Sequence, residues 1–171
     1  MTMYDFNPTP VFAALNKARV RYMVVGGLAV GAYGVVRTTK DIDIILDFNE
    51  HNVRRLWTTL KKIGYAPKVP ETPERLADAK VRNQWIRKKD MKVFSFVETH
   101  PPFNLIDIMV KHHGNFAALY RHRKYAQLGR VRIPVVPVAH LLRMKRIAHR
   151  PKDIEDVWKL QWLMHHRRKQ L

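Results

Sequence analysis

The sequence predicts an α+β fold: a mixed β-sheet flanked by helices, with a helical C-terminal part. Three observations carry that expectation. Short β-branched runs and helical patterns alternate irregularly, which argues against a regular strand–helix–strand array. The clearest helix, over 49–63, sets Val53, Leu56, Trp57, Leu60 and Ile63 on one apolar stripe. Two final helical patterns, over 138–149 and 152–166, are separated by Pro151. At 171 residues the chain is long enough for one domain with a real core. That domain is expected to span 1–171, with its core over about 20–110 and its helical end over about 137–166.

In chain order, a first helix is predicted over 9–18, with Thr9 as N-cap and Pro10 in the first turn. A strand over 20–25 runs into Gly26-Gly27, and a short helix over 28–33 is closed by Gly34. The second strand covers 41–47. Three prolines between 67 and 73 mark a loop, followed by a helix over 74–80 and a strand over 84–86. A better strand covers 92–98, Pro101-Pro102 breaks the chain, and another strand covers 103–110. A helix over 115–120 leads to the basic run Arg121-His122-Arg123-Lys124. The segment 130–136 reads as an edge strand because Pro134 interrupts it.

Composition narrows the chemistry. Thirty-two Lys and Arg against fourteen Asp and Glu give a formal charge of +18. Such a field attracts polyanions, of which nucleic acid is the commonest. The absence of cysteine excludes disulfides and thiolate zinc sites. His112-His113 and His165-His166 are adjacent pairs whose side chains diverge, and no His-x-x-x-His spacing exists, so zinc is not expected. The Walker A pattern is absent. No apolar run reaches membrane-spanning length, and residues 1–10 carry no signal pattern, so a cytoplasmic protein without a membrane partner is expected. Arg167-Arg168-Lys169 adds a terminal basic run.

The candidate chemistry lies in two strands. Alternation puts Asp41 and Asp43 on one face of the second strand and Ile42, Ile44 and Leu46 on the other. Two carboxylates this close repel unless a cation joins them, and their oxygens suit Mg²⁺. Gly26-Gly27, ahead of a helix, lets backbone amides approach an anion. In the later strand, Asp107 interrupts a face otherwise made of Phe103, Leu105 and Met109. It reads either as the partner of a buried arginine or as a third carboxylate beside Asp41 and Asp43.

In order, type and spacing, Val25-Gly26-Gly27, Asp41-Ile42-Asp43-Ile44 and Ile106-Asp107-Ile108 resemble the nucleotidyltransferase superfamily with the polymerase β-like fold. The Arg37-Thr38-Thr39-Lys40 lead-in looks like the small bacterial AbiEii-like group, a toxin class of abortive-infection systems. Lys145, Arg150-Pro151-Lys152-Asp153 and Asp156 resemble that group's closing pattern. The resemblance implies a catalytic set of Asp41, Asp43, Asp107, Lys145 and Asp153. It implies metal ligation of Mg²⁺ or Mn²⁺ by Asp41, Asp43 and Asp107, with Asp107 activating the acceptor hydroxyl. It also implies phosphate contacts from Gly26, Gly27, Arg37, Thr38 and Lys40. Lys145 falls on an apolar stripe with Val138, Leu141 and Leu142, where it either snorkels to water or faces phosphate. Asp153, Glu155 and Asp156 sit in a first helical turn, where negative charge is favourable in any case.

The expected activity is metal-dependent transfer of a nucleoside monophosphate from an NTP to an acceptor hydroxyl. The charge points to RNA or tRNA as acceptor, and the AbiEii-like resemblance, not the chain itself, implies a component of a toxin–antitoxin pair with a cognate toxin or antitoxin partner. The alternatives are nucleotidylation of a protein or small molecule, and a non-catalytic basic module that binds nucleic acid.

Overall fold

The structure, a computed structural model, describes residues 6–111 and 114–168. His112-His113, Lys169 and the first five residues of the N-terminal stretch lie outside the described residues, as do the side chains of Arg167 and Arg168. The strands are β1 (Tyr22–Val24), β2 (Asp41–Leu46), β3 (Tyr65–Pro67), β4 (Val93–Glu98), β5 (Leu105–Met109), β6 (Lys124–Leu128) and β7 (Val131–Val135). The helices are α1 (Thr9–Lys17), α2 (Gly26–Ala32), α3 (Glu50–Lys62), α4 (Pro73–Ala77), α5 (Ala79–Lys89), α6 (Phe116–Arg121), α7 (Val138–Ala148) and α8 (Pro151–Arg168).

The sheet order is β3-β4-β5-β2-β1-β7-β6. β2 runs parallel to β5, and β1 parallel to β7, while the other neighbours are antiparallel. The mixed sheet with flanking helices is the fold the sequence predicts. One face of β5 and β2 is sealed: Ile42, Ile44, Ile106 and Ile108 are all buried. The rings of Phe94 and Phe96 on β4 continue that face, with Trp57 of α3 packed 5.0 Å from Phe96 and Trp85 of α5 stacked 5.7 Å from Phe94. Trp57 is therefore core, as the α3 stripe predicts.

A single polar side chain fixes α3 to the sheet. Asn52, wholly buried, accepts from the Arg21 amide at 2.7 Å and donates to the carbonyls of Arg21 and Asp47 at 3.0 and 2.8 Å. These backbone groups leave the ends of β1 and β2; the Arg21 carbonyl also accepts from the Asp47 amide at 3.2 Å, while the Arg21 amide and the Asp47 carbonyl depend on Asn52.

Several local expectations are corrected. The first helix is capped not by Thr9 but from Pro8, and the Asn7 side chain accepts from the Thr9 amide at 3.1 Å. The strand expected over 84–86 is the middle of α5, where Trp85 is the one fully buried residue. The helix expected over 74–80 splits at Asp78, whose side chain caps α5 by accepting from Lys80 N at 2.7 Å. β3 and β6 were not foreseen. β6 is the edge strand, and β7 lies inside it, between β6 and β1. Pro134 is tolerated there because β7 meets β1 one residue further on, at Val135 opposite Val24.

Replacing Asn52 by Ala should destabilise the fold by about 2–4 kcal/mol, since two inward-facing backbone groups lose their partner. Urea unfolding measures this, and a loss under about 0.5 kcal/mol, the size of an ordinary surface substitution, would contradict the assignment.

Candidate active site

The parallel register of β2 on β5 sets Asp43 directly opposite Asp107, with Asp41 opposite Leu105. Both Asp43 and Asp107 are half-buried on the face away from the isoleucines, while Asp41 is exposed at the start of β2. On the far side of Asp107, β4 brings Ser95 into register, and its hydroxyl donates to Asp107 Oδ1 at 2.6 Å. The sequence gives no sign of Ser95, because only the β4–β5 register places it there. Asp107 thus sits on a half-buried, partly polar face with Asp43 and Ser95, rather than within a closed apolar one.

The glycine pair answers to this geometry. The Val25 amide donates to the Asp43 carbonyl at 2.9 Å, and Gly26 turns the chain with φ +64 into α2. A Cβ at Gly26 would fall 1.9 Å from Asp43 Oδ2. Gly26 is therefore required twice, by its backbone angle and by the carboxylate beside it. A Cβ at Gly27 would lie 2.8 Å from Thr39 Oγ1 and 2.9 Å from Arg37 Nε, so the second glycine admits the loop leading into β2.

Opposite the carboxylates stands a buried charge network from α7 and α8. Lys145 is 5% exposed, and its Nζ lies 2.9 Å from Asp153 Oδ1 and 2.7 Å from Asp156 Oδ2. It does not snorkel: it is held inside. Asp153 and Asp156 are buried as well, so their place in the first turns of α8 serves this ion cluster and not only the helix dipole. Arg150 Nε bonds Asp153 Oδ2 at 2.6 Å. Arg37 reaches back from the loop before β2, and its Nη1 donates to both oxygens of Asp156. Thr38 and Lys40 are exposed on that loop.

Gly26, Asp43, Met109, Met144, Lys145 and Arg150 line one cleft of about 90 Å³, with Asp153 at its back. Burial, then the charges of Asp107 and Asp41, push Asp43 up to about 6, although Lys145 and Arg150 pull the other way. Burial also opposes ionisation of Asp153, but bonds from Arg150 and Lys145 outweigh it and hold that carboxyl at about 2.

Among the described residues, no group of three or more His, Cys, Asp and Glu forms a ready metal cage. The fit is of another kind. Two carboxylates side by side, one kept from easy ionisation by burial and by the charge of the other, make a partial site of the sort Mg²⁺ uses when phosphate and water complete its shell. Asp41 stands at the rim of that pair. The sequence-predicted residues that the structure gathers are Gly26, Asp43, Asp107, Lys145 and Asp153. Arg37 is drawn instead to Asp156, to which the sequence reading gave no separate role.

The model of the aminoglycoside-2''-adenylyltransferase family matches residues 9–156. The chain belongs to this family. It is accordingly a nucleotidyltransferase, and its carboxylate strands, glycine turn and charge cluster lie inside the matched span. Its fold is similar to that of LnuA, a lincosamide antibiotic adenylyltransferase solved with lincomycin bound (TM-score 0.59, 16% identity, covering 91% of this chain and 94% of that one). ANT(2'')-Ia, solved with adenylyl-2''-tobramycin, is similar too (TM-score 0.55, 14% identity, 94% of each chain). So is an antigenic nucleotidyltransferase-like protein from Paracoccidioides brasiliensis (TM-score 0.52, 13% identity, 89% of this chain and 72% of that one). No curated protein matches the sequence.

The raised Asp43 pKa has a sign that can be checked. The folded state binds a proton that the unfolded chain has released, so metal-free stability falls as pH rises from about 4 to about 6 and stays low above that. Asp43→Asn should melt higher than wild type at pH 8, by up to about 3 kcal/mol, and the gap should close by pH 4. A variant that melts lower at pH 8 would contradict the cost of burying an ionised Asp43 beside Asp107. For Ser95→Ala, kcat should drop about tenfold with KM for nucleotide little changed, because only the orientation of Asp107 is lost.

Proposed function

We propose that the chain transfers a nucleoside monophosphate, adenylate in the first instance, from an NTP to a hydroxyl of a small molecule. The observation that carries this reading is the cleft in which Asp43 meets Lys145 and Arg150, with Asp107 beside Asp43 on the next strand. It sets a carboxylate against fixed cations, as phosphoryl-type transfer requires. The relatives that modify antibiotics support a small, hydroxyl-bearing acceptor.

In this reading Asp107 Oδ2 takes the proton of the attacking hydroxyl, while the Ser95 bond at Oδ1 fixes the carboxylate's direction. The new acceptor O–P bond forms at the α-phosphorus as the bond to the pyrophosphate oxygen breaks. Two N–H groups of Lys145 are committed to Asp153 and Asp156, which leaves its third N–H for a phosphate oxygen in the cleft. Arg150 adds a second cation at the same wall. Gly26 and Gly27 amides, with Thr38 and Lys40, hold the triphosphate. Arg37 orients Asp156, and through it Lys145. A divalent metal held by Asp43 and Asp107, with Asp41 at its edge, would neutralise charge on the reacting phosphates when bound.

An RNA or tRNA acceptor and a toxin–antitoxin role rest on the +18 charge and on the Arg37-to-Lys40 lead-in. The two acceptor classes separate experimentally. The protein is incubated with α-labelled ATP, Mg²⁺ and, in parallel, an amino sugar antibiotic, a lincosamide and total tRNA. Label on a small molecule, lost in Asp43→Asn and nearly unchanged between 50 and 200 mM salt, is the expected result. Label on tRNA that falls steeply over the same range would replace the small-molecule acceptor with RNA. Lys145→Ala should lower kcat by at least about a hundredfold if Lys145 touches phosphate in the transition state.

A further inference from the structure

A second basic site lies at the opposite end of the sheet from the carboxylates. β1 runs from Tyr22 to the glycine turn, and the residues just before it, Arg19 and Arg21, open onto a groove of about 490 Å³. Arg55 of α3, Arg132 of β7, Tyr120 and Tyr125 complete its walls. The catalytic cleft and this groove share no residue.

The groove is built rather than merely charged. Arg132 lies over the Tyr125 ring at 3.8 Å and Arg21 over the Tyr120 ring at 5.0 Å. Arg123 sits 3.9 Å from the Tyr120 ring and donates from Nε to the Tyr125 hydroxyl at 2.8 Å, which locks the two tyrosines together. Such stacking fixes a guanidinium plane while leaving N–H edges for a ligand. At the base, the buried Tyr22 hydroxyl donates to Asn16 Oδ1 at 2.9 Å, and Asn16 Nδ2 donates to the Arg132 carbonyl at 2.8 Å. Arg21 is paired with Asp47 at 2.9 Å, but Arg19, Arg55 and Arg132 have no ion pair among the described residues. Arg19 moreover occupies the left-handed position after α1, at φ 54, where glycine would be cheaper.

We propose that this groove binds single-stranded RNA. Phosphates meet Arg19 and Arg55, and a base stacks on the Arg132–Tyr125 pair, whose tyrosine is 43% exposed. Unpaired guanidiniums suit phosphate oxygens, flat stacked planes suit bases, and the +18 field supplies attraction beyond the groove. This binding is separate from the acceptor chemistry at Asp43, so it stands or falls independently of the small-molecule reading.

The test is fluorescence anisotropy of the full chain with a labelled single-stranded RNA decamer, without NTP, across a salt series. Arg19→Ala/Arg55→Ala should weaken binding roughly tenfold and reduce the salt slope by about 1.4, two contacts' worth for a single strand. Tyr125→Ala should weaken it about tenfold as well, through lost stacking. Lys88→Ala/Lys89→Ala, which removes the same charge from the exposed end of α5, should change little. Far-UV melting and transferase activity confirm that each variant is folded, and Arg55→Ala alone serves if the double variant is not. Equal loss in both double variants would mean diffuse attraction and overturn the site. So would unchanged binding in the groove variants, or no binding of the decamer by the wild-type chain.

Discussion

Two carboxylates set abreast in a parallel strand pair cannot both ionise freely, and the rest of the active end is arranged around that constraint. The β2–β5 register brings Asp43 and Asp107 together, and burial, reinforced by the Asp107 charge, holds Asp43 from ionising easily. Gly26 gives Asp43 its room. Ser95 satisfies one oxygen of Asp107 from the next strand. In the proposed function, these contacts prepare the pair for a divalent cation, since Lys145 and Arg150 offset the burial of Asp43 only in part.

The opposite wall is prepared in the same currency. Lys145, Arg37 and Arg150 meet only two carboxylates, Asp153 and Asp156, so the cluster retains an excess positive charge toward the cleft. Buried ion clusters of this kind contribute little to stability once desolvation is counted. They do fix geometry. Here the cluster ties three separated segments, the loop before β2, α7 and the start of α8, to a single arrangement. The outer side of α8 leaves Ile154, Trp158 and Trp162 exposed, so this helix is held at its start more by charge than by a fully covered apolar face.

What the sequence made legible was whatever local pattern determines. The Asp-Ile-Asp alternation, the glycine pair and the α3 stripe all dictate their own geometry, and they gave the fold class and the carboxylate face. Relations set by register or by distant packing were not legible. Ser95 reaches Asp107 only because β4 pairs with β5, and Arg37 reaches Asp156 across more than a hundred residues. The α5 segment was misread because Gln84-Trp85-Ile86 alternates like a strand over too short a window, while the Asp78 cap decides for helix. β6 escaped because an exposed edge strand buries too little to show a pattern, and its presence makes β7 an inner strand.

The central proposal is that Asp43 and Asp107 form a cation site in which burial, reinforced by the charge of Asp107, keeps Asp43 from ionising until a cation binds. It is tested most directly by following the Asp43 side-chain carboxyl carbon by NMR through a pH titration, first without divalent metal and then with saturating Mg²⁺. The account predicts a midpoint near 6 in the metal-free protein and a fall below 4 with Mg²⁺. A metal-free midpoint at the ordinary carboxylate value, or a midpoint near 6 that Mg²⁺ leaves unmoved, would contradict it.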